Sequence, residues 1–347
     1  LFMLIKPFLS IILLGSIILF GVSGCDTRFK AEAVLSQYAM DLNRSQFFSV
    51  TSLAMVMPDS LPSSSYRQQS LTQFDIGILD FLSLQQCDVG IVAGRKNSIL
   101  GKVMPDSQRF LYELDIIRAI ESCDIKNESL SKDLYQIAQK KRLELPMAFG
   151  NALFNGAEGE AFFSLSNGFL PLNYSTAEQQ ELLDALSRLV VIGENLDELP
   201  VVDSNVFEGD LKILMDSEYA GRLLYSLARI TGYLELIANE VNILGDDICG
   251  APMAYLRQQF DAHYVKIVQP YMGRINRGAY QVLPLLNRLF EVSEPLSSDM
   301  RIFSHQFSLK EQGGEWQHYQ RASQAHAKEW SSLLTKCSLS IGGHGQS

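Results

Sequence analysis

The stretch Leu223-Leu-Tyr-Ser-Leu-Ala-Arg-Ile-Thr-Gly-Tyr-Leu-Glu-Leu-Ile-Ala-Asn-Glu-Val-Asn-Ile-Leu244 decides the fold. Its apolar residues Leu223, Leu227, Ile230, Leu234, Ile237, Val241 and Leu244 recur in alternating steps of four and three until Gly245 ends the series. That spacing puts one continuous apolar stripe on a helix, the seam of a helical bundle. The C-terminal segment repeats it as Trp316, Tyr319, Ser323, His326, Trp330, Leu333 and Cys337, so a second long helix must bury two tryptophans, a histidine and a cysteine. Between the two, Pro270 is expected to halt a helix over Tyr255 to Val268, and Pro284 to interrupt one over Tyr280 to Phe290.

Upstream, Ser175 with Glu178 forms a capping box ahead of Leu182, Leu183, Leu186, Leu189 and Val190. Phe110, Leu114, Ile117 and Ile120 mark another helix, and Arg28 to Leu42, Leu71 to Leu84 and Leu130 to Leu143 read the same way. One stretch differs: Asn167-Gly168 between the apolar runs of Phe162 to Leu172 predicts a small β-hairpin. Pro58 to Pro62 and Ser63 to Ser65 form a loop, and Leu199-Pro200 to Asp203 is the best boundary between lobes. The expected architecture is all-α, a multi-helix bundle of two lobes, 31–200 and 201–347, each with one disulfide, plus that one hairpin.

Of the 347 residues, 29 are Lys or Arg and 39 are Asp or Glu, a formal net charge of −10. Phosphate backbones need a basic surface, so nucleic acid is not an expected partner. With 47% apolar and 20% charged residues the chain can bury a sizeable core, which excludes disorder and collagen-like structure.

Lys6 precedes an apolar run from Phe8 to Phe20, and the run ends in Val22-Ser23-Gly24-Cys25. The first part is a secretory signal pattern. The second resembles the lipobox of bacterial lipoproteins. In that class the thiol at the position of Cys25 receives a diacylglyceryl group, the chain is cut before it and the new amino terminus is usually acylated, so residues 1–24 are the signal and 25–30 a lipidated tether. Two or more acyl chains anchor stably where one does not. Asp26 after the cysteine resembles the enteric signal for inner-membrane retention, which tips the expected location to the periplasmic face of that membrane over the outer one. The expected partners are the membrane, through the lipid, and an unknown envelope protein.

Four further cysteines, Cys87, Cys123, Cys249 and Cys337, make an even number in a compartment that permits disulfides. Three pairings are possible. Cys87 with Cys123 and Cys249 with Cys337 is preferred because each pair brackets one helical hairpin. No two cysteines have zinc-ligand spacing, so no metal is expected.

Candidate chemistry is sparse. Gly94-Arg-Lys-Asn-Ser-Ile-Leu-Gly-Lys102 has the wrong spacing for a phosphate-binding loop and reads as a turn between helices. Glu315-x-x-His318 is half of a di-iron motif without its second copy. His326-x-x-Glu329 is similar to the G-x-H-x-x-E motif of imelysin-like proteins, but Gln324 takes the glycine position. His326 lies on the Trp316 and Trp330 stripe, where a hydrogen-bonded core histidine is the more common outcome. Lys140-Lys141-Arg142 reads as a solvated helix end. No Ser-His-Asp arrangement or G-x-S-x-G is present, and no catalytic residue or cofactor is assigned.

One resemblance spans nearly the whole mature chain. Arg95, Asn97-Ser98, Leu100-Gly101 and Val103 after Cys87, then Ser107, Arg109-Phe-Leu-Tyr112-Glu113 and Cys123, with Glu315-Trp316, Tyr319, His326, Trp330 and Cys337, are similar to an uncharacterised gammaproteobacterial family of predicted lipoproteins, a domain of unknown function. The sequence departs from that pattern in carrying Lys96 between Arg95 and Asn97. The resemblance implies an envelope lipoprotein and brings no activity, cofactor or catalytic residue. The leading expectation is therefore an interaction or scaffold module. The alternatives are a small-molecule or lipid site between helices, with Arg95, Asn97, Ser98, Tyr112 and Glu113 as polar candidates, and an enzyme using His326 or Glu329.

Overall fold

The computed structural model describes residues 29–50, 57–73, 84, 87–97, 103–173 and 176–339. Residues 1–28, with the signal pattern, Cys25 and Asp26, lie outside the described residues. So do Ser98 and most of the helix expected over Leu71 to Leu84.

The elements are, in order, α1 (Lys30–Asn43), the single turn α2 (Ser64–Arg67), α3 (Asp88–Asn97), α4 (Asp106–Glu121), α5 (Glu128–Phe154), α6 (Ala157–Phe163), α7 (Thr176–Glu194), α8 (Ser204–Ser217), α9 (Tyr219–Asn242), α10 (Ala251–Gln259), a π-helical segment (Phe260–Val268), α11 (Gln269–Val292), α12 (Ser298–His305) and α13 (Glu315–Lys336). Side chains supply several of the starts: Asn127 caps α5, Asp203 caps α8 and Ser297 caps α12, each accepting from the first-turn backbone.

The seam helix α9 sits at the centre and packs along α13. Leu223, Leu227, Ile230, Leu234, Ile237 and Val241 are all buried, as are Trp316, Tyr319, His326, Trp330 and Leu333 on α13. At Gly221 of α9 a Cβ would stand 2.2 Å from the carbonyl oxygen of Ser164, so the helix and the turn below it meet at backbone contact. Around this pair α7 packs on α8 and α11, α8 on α6, and α1 on the π segment.

The two disulfides are Cys87–Cys123 and Cys249–Cys337. The first staples a satellite core built from Val89, Val92, Tyr112, Ile116, Ile120 and Leu134 among others. Helices α4 and α5 serve both cores, since Phe110, Leu114, Ile117 and Leu145 point into the main one. The main core draws on residues from both sides of Pro200, from Ala31 to Leu334. Leu199 and Pro200 are not an open linker either: their carbonyls accept from Arg118 of α4 at 3.2 and 2.6 Å.

Three expectations are corrected. No strand occurs among the described residues, and Phe162 to Leu172 forms the end of α6, a 3₁₀ turn over Leu165–Asn167 and a bend at Gly168 with φ 73°. The adjacent pairs Phe162-Phe163 and Phe169-Leu170 are all buried. A hairpin would turn one member of each pair outward, whereas helix and turn admit both. Pro270 does not halt its helix, because the wide i→i+5 turns of the π segment, ending in Gln269 N–H donating to Tyr264 O, carry the chain straight into α11. Gly94–Asn97 belong to α3 and do not turn the chain.

Residues 57–73 run across α5 as a strap, helical only in α2. Asn151 holds Gln69 by both main-chain groups, at 2.9 Å to N–H and 2.8 Å to C=O. Glu144 accepts the Thr72 N–H at 2.7 Å, and Arg67 reaches Glu160 at 2.6 Å. The helix side chains thus supply the partners that a non-helical backbone leaves open.

Candidate functional site

The polar candidates near Cys87 are split between surface and interior. Arg95 is exposed and pairs with Asp115 at 3.0 Å, and Asp115 also takes Arg118 at 2.9 Å. Asn97 ends α3. Tyr112 and Glu113, on α4, are buried. Glu113 accepts from Arg109 at 2.5 Å and from Lys141 at 2.6 Å, and Lys141 also donates to the Thr72 carbonyl at 2.8 Å. The Arg109 guanidinium lies 5.4 Å from the Tyr112 ring centre. Burial pulls the Lys141 ammonium below its ordinary pKa against the raising effect of Glu113, and burial pushes the Tyr112 phenol up. Lys141 is therefore no solvated helix end. It is 1% exposed, because α5 continues through Pro146 to Phe154 and puts it mid-helix between the two cores. Arg95 lines a surface cleft with Asp88, Asp115, Arg118 and Glu121, whereas Glu113 lies buried in the packed network.

His326 is 0% exposed. Its Nε2 faces the Tyr38 hydroxyl at 3.3 Å, and its ring sits 4.2 Å from Tyr264 and 6.4 Å from Trp330 between centres. Glu329 approaches Lys328 at 3.6 Å. Nearby, His263 of the π segment pairs with Asp41 of α1 at 2.8 Å. Among the described residues no group of three or more His, Cys, Asp or Glu is placed to hold a metal. Burial pushes the His326 pKa down to about 3, so the imidazole is neutral throughout the physiological range. The neutral ring is enclosed among aromatic side chains with the Tyr38 hydroxyl as the polar partner of Nε2.

That burial has a measurable consequence. Below its ordinary value the unfolded chain takes up a proton that the folded chain refuses, so stability falls as pH drops from about 6.5 toward 3, and is unaffected above 6.5. His326→Gln removes the titrating group. The stability gap between the native chain and this variant should narrow by about 3 kcal/mol between pH 7 and pH 4. Urea midpoints at the two pH values check it, and an unchanged gap would mean His326 is solvated.

The sequence did not mark a third place. A cavity of about 360 Å³ opens between α7, α8 and the start of α9. Leu170, Pro171, Leu182 and Ile213 supply its apolar wall; Glu178, Glu181, Asp216, Glu218 and Arg222 supply its charges. Glu218, which joins α8 to α9, has φ 51°, a left-handed conformation costly for a residue with a Cβ. It pairs with Arg222 at 2.7 Å. The cavity is assembled from three elements, so no local motif announces it. Its only trace in the sequence is the acidic pair Glu178 and Glu181, one turn apart on α7.

A family model described as "Protein of unknown function (DUF3080)" matches residues 35–341. The chain belongs to this family. The match begins inside α1 and ends just past α13, so the DUF3080 domain takes in both disulfides, the buried network around Glu113, the His326 cluster and the cavity. No curated protein and no solved structure matches the chain.

Proposed function

We propose that this DUF3080 chain is a lipid-anchored module of the bacterial envelope that works by binding and not by chemistry. The observation that carries the anchored reading is the lipobox-like sequence and its short distance from α1. Cys25 of the lipobox-like Val22-Ser23-Gly24-Cys25 precedes Phe29 by four residues, and α1 immediately buries Ala31, Leu35, Tyr38 and Leu42 in the main core. An acylated Cys25 would hold the body against the bilayer on a tether of at most about 14 Å. The binding reading is favoured by the closed state of both polar clusters, Glu113 with Lys141 and His326 with Tyr38, against the open cavity beside α9. An interaction with an envelope protein remains the leading partner class. The cavity favours a small-molecule or lipid site as a second reading.

Intact mass of the chain extracted from membranes tests the anchor. The expected species begins at Cys25, carries added acyl mass and gains about four hydrogens on reduction, two per disulfide. Cys25→Ala should abolish the acylation. A native chain retaining residues 1–24 would overturn the anchored reading.

A further inference from the structure

The outward face of α1 differs in charge from the chain that carries it. Ala31, Leu35, Tyr38 and Leu42 of this helix are buried, while Lys30, Ala33, Gln37, Met40 and Arg44 are exposed at alternating steps of three and four on the opposite side. The two carboxylates of α1 are taken up at the flanks of that stripe. Glu32 pairs with Arg229 of α9, and the buried Asp41 pairs with His263 of the π segment at 2.8 Å and with Arg44 at 2.7 Å. Arg44 keeps 66% of its side chain exposed while it does so. Between Phe29 and Val50 no acidic side chain is exposed, in a chain whose formal net charge is −10.

Apolar side chains share this face. Phe29 just before α1, Met40 within it and Phe47 just after it are exposed at 42, 52 and 40%. The π segment, which packs on α1, exposes Val265, Lys266 and Ile267 in addition. Exposed apolar groups set among cations, with the carboxylates withdrawn, make a surface that suits anionic lipid. The place of the anchor supplies that lipid. Phe29 is four residues from Cys25, so on the anchored reading, on which this inference rests, α1 is the first element the tether meets and starts within about 14 Å of the acylated residue.

We propose that the outward face of α1, with the adjoining π segment, rests on the surface of an anionic phospholipid bilayer. Lys30, Arg44 and Lys266 meet lipid phosphates, and Phe29, Met40 and Phe47 enter the interface. The acyl chains supply the attachment; this face sets which side of the body is turned to the membrane.

The acylated chain, extracted from membranes and reconstituted into vesicles of phosphatidylglycerol and phosphatidylcholine in equal parts, tests it. With Cys25 acylated and the other four cysteines in disulfides, Met40→Cys adds the single free thiol, which takes an environment-sensitive fluorophore; Val201→Cys, at the exposed turn before α8, is the reference. The expected result is quenching by nitroxide-labelled phosphatidylcholine at least about threefold stronger at position 40 than at position 201. In vesicles of phosphatidylcholine alone, and in the double variant Lys30→Glu with Lys266→Glu, that excess should fall by at least about half, while flotation with the vesicles is unchanged because the acyl chains carry it. Thermal unfolding of each variant establishes that it is folded. Equal quenching at both positions in a chain that floats, or an excess kept in full by phosphatidylcholine vesicles or by the folded double variant, overturns the proposal and leaves the anchored reading standing. A chain that floats with neither vesicle overturns the anchored reading, and this proposal with it.

Discussion

Lys141→Met is expected to lower the unfolding free energy by about 3 to 5 kcal/mol, because it leaves the Glu113 carboxylate buried without its ammonium and the Thr72 carbonyl without its donor. Glu113→Leu should cost a similar amount by stranding Lys141, whose side chain is fully enclosed. The double variant should cost clearly less than the sum of the two, since an apolar pair replaces an ion pair whose attraction is largely spent on desolvation. It should not recover fully, because Arg109 also loses its carboxylate at 2.5 Å. Urea unfolding of the four chains closes the cycle. Single variants within about 1 kcal/mol of the native chain would show that water reaches this site.

The second large effect belongs to the Cys249–Cys337 bond. It joins the approach to α10 to the end of α13 across a sequence separation of 88, so Cys249→Ser with Cys337→Ser should cost about 4 to 5 kcal/mol in the chain-entropy model. The Cys87–Cys123 bond closes a separation of 36, for which the same model gives about 4 kcal/mol. The two losses should differ in kind more than in size. Opening the first frees the end of α13 and loosens the main core, while opening the second acts on the satellite core. Guanidinium unfolding followed by tryptophan fluorescence separates them, because Trp316 and Trp330 both lie on α13. An equal response of the fluorescence transition to both removals would mean that the two cores unfold as one.

The helical architecture was legible because burial in a bundle is written as period. The seam from Leu223 to Val241 and the stripe from Trp316 to Leu333 are buried as their spacing requires. The disulfide pairing agrees with the expectation, but only Cys87–Cys123 brackets one hairpin, α3 with α4; Cys249–Cys337 spans everything from α10 to α13. What the sequence hid has physical reasons. Pro270 looks like a stop because proline removes one hydrogen bond from a regular helix, and a register change just upstream does not show in apolar spacing. Lys141 looks solvated because lysine usually is; its burial depends on α4 bringing Glu113 opposite, a tertiary fact. The Asn167-Gly168 signal is real as a turn, yet four aromatic and aliphatic neighbours seek the same core and override the strands. Of the candidate site residues, Glu113 and His326 are both buried, Glu113 against Arg109 and Lys141 and His326 against Tyr38. The cavity beside Arg222 is composed of residues that look ordinary one at a time.

The contact between Tyr38 and His326 joins residues 288 positions apart, and Phe48 stacks on Trp330 in the same region. The first of the described helices is thus finished by the last. During synthesis α1 and the π segment must wait with an aromatic face uncovered until nearly the whole chain is available, so this core closes late and its closure is slow for a helical protein. A chain truncated before α13 would keep the satellite core but leave that aromatic face open, ready to associate with any other apolar surface.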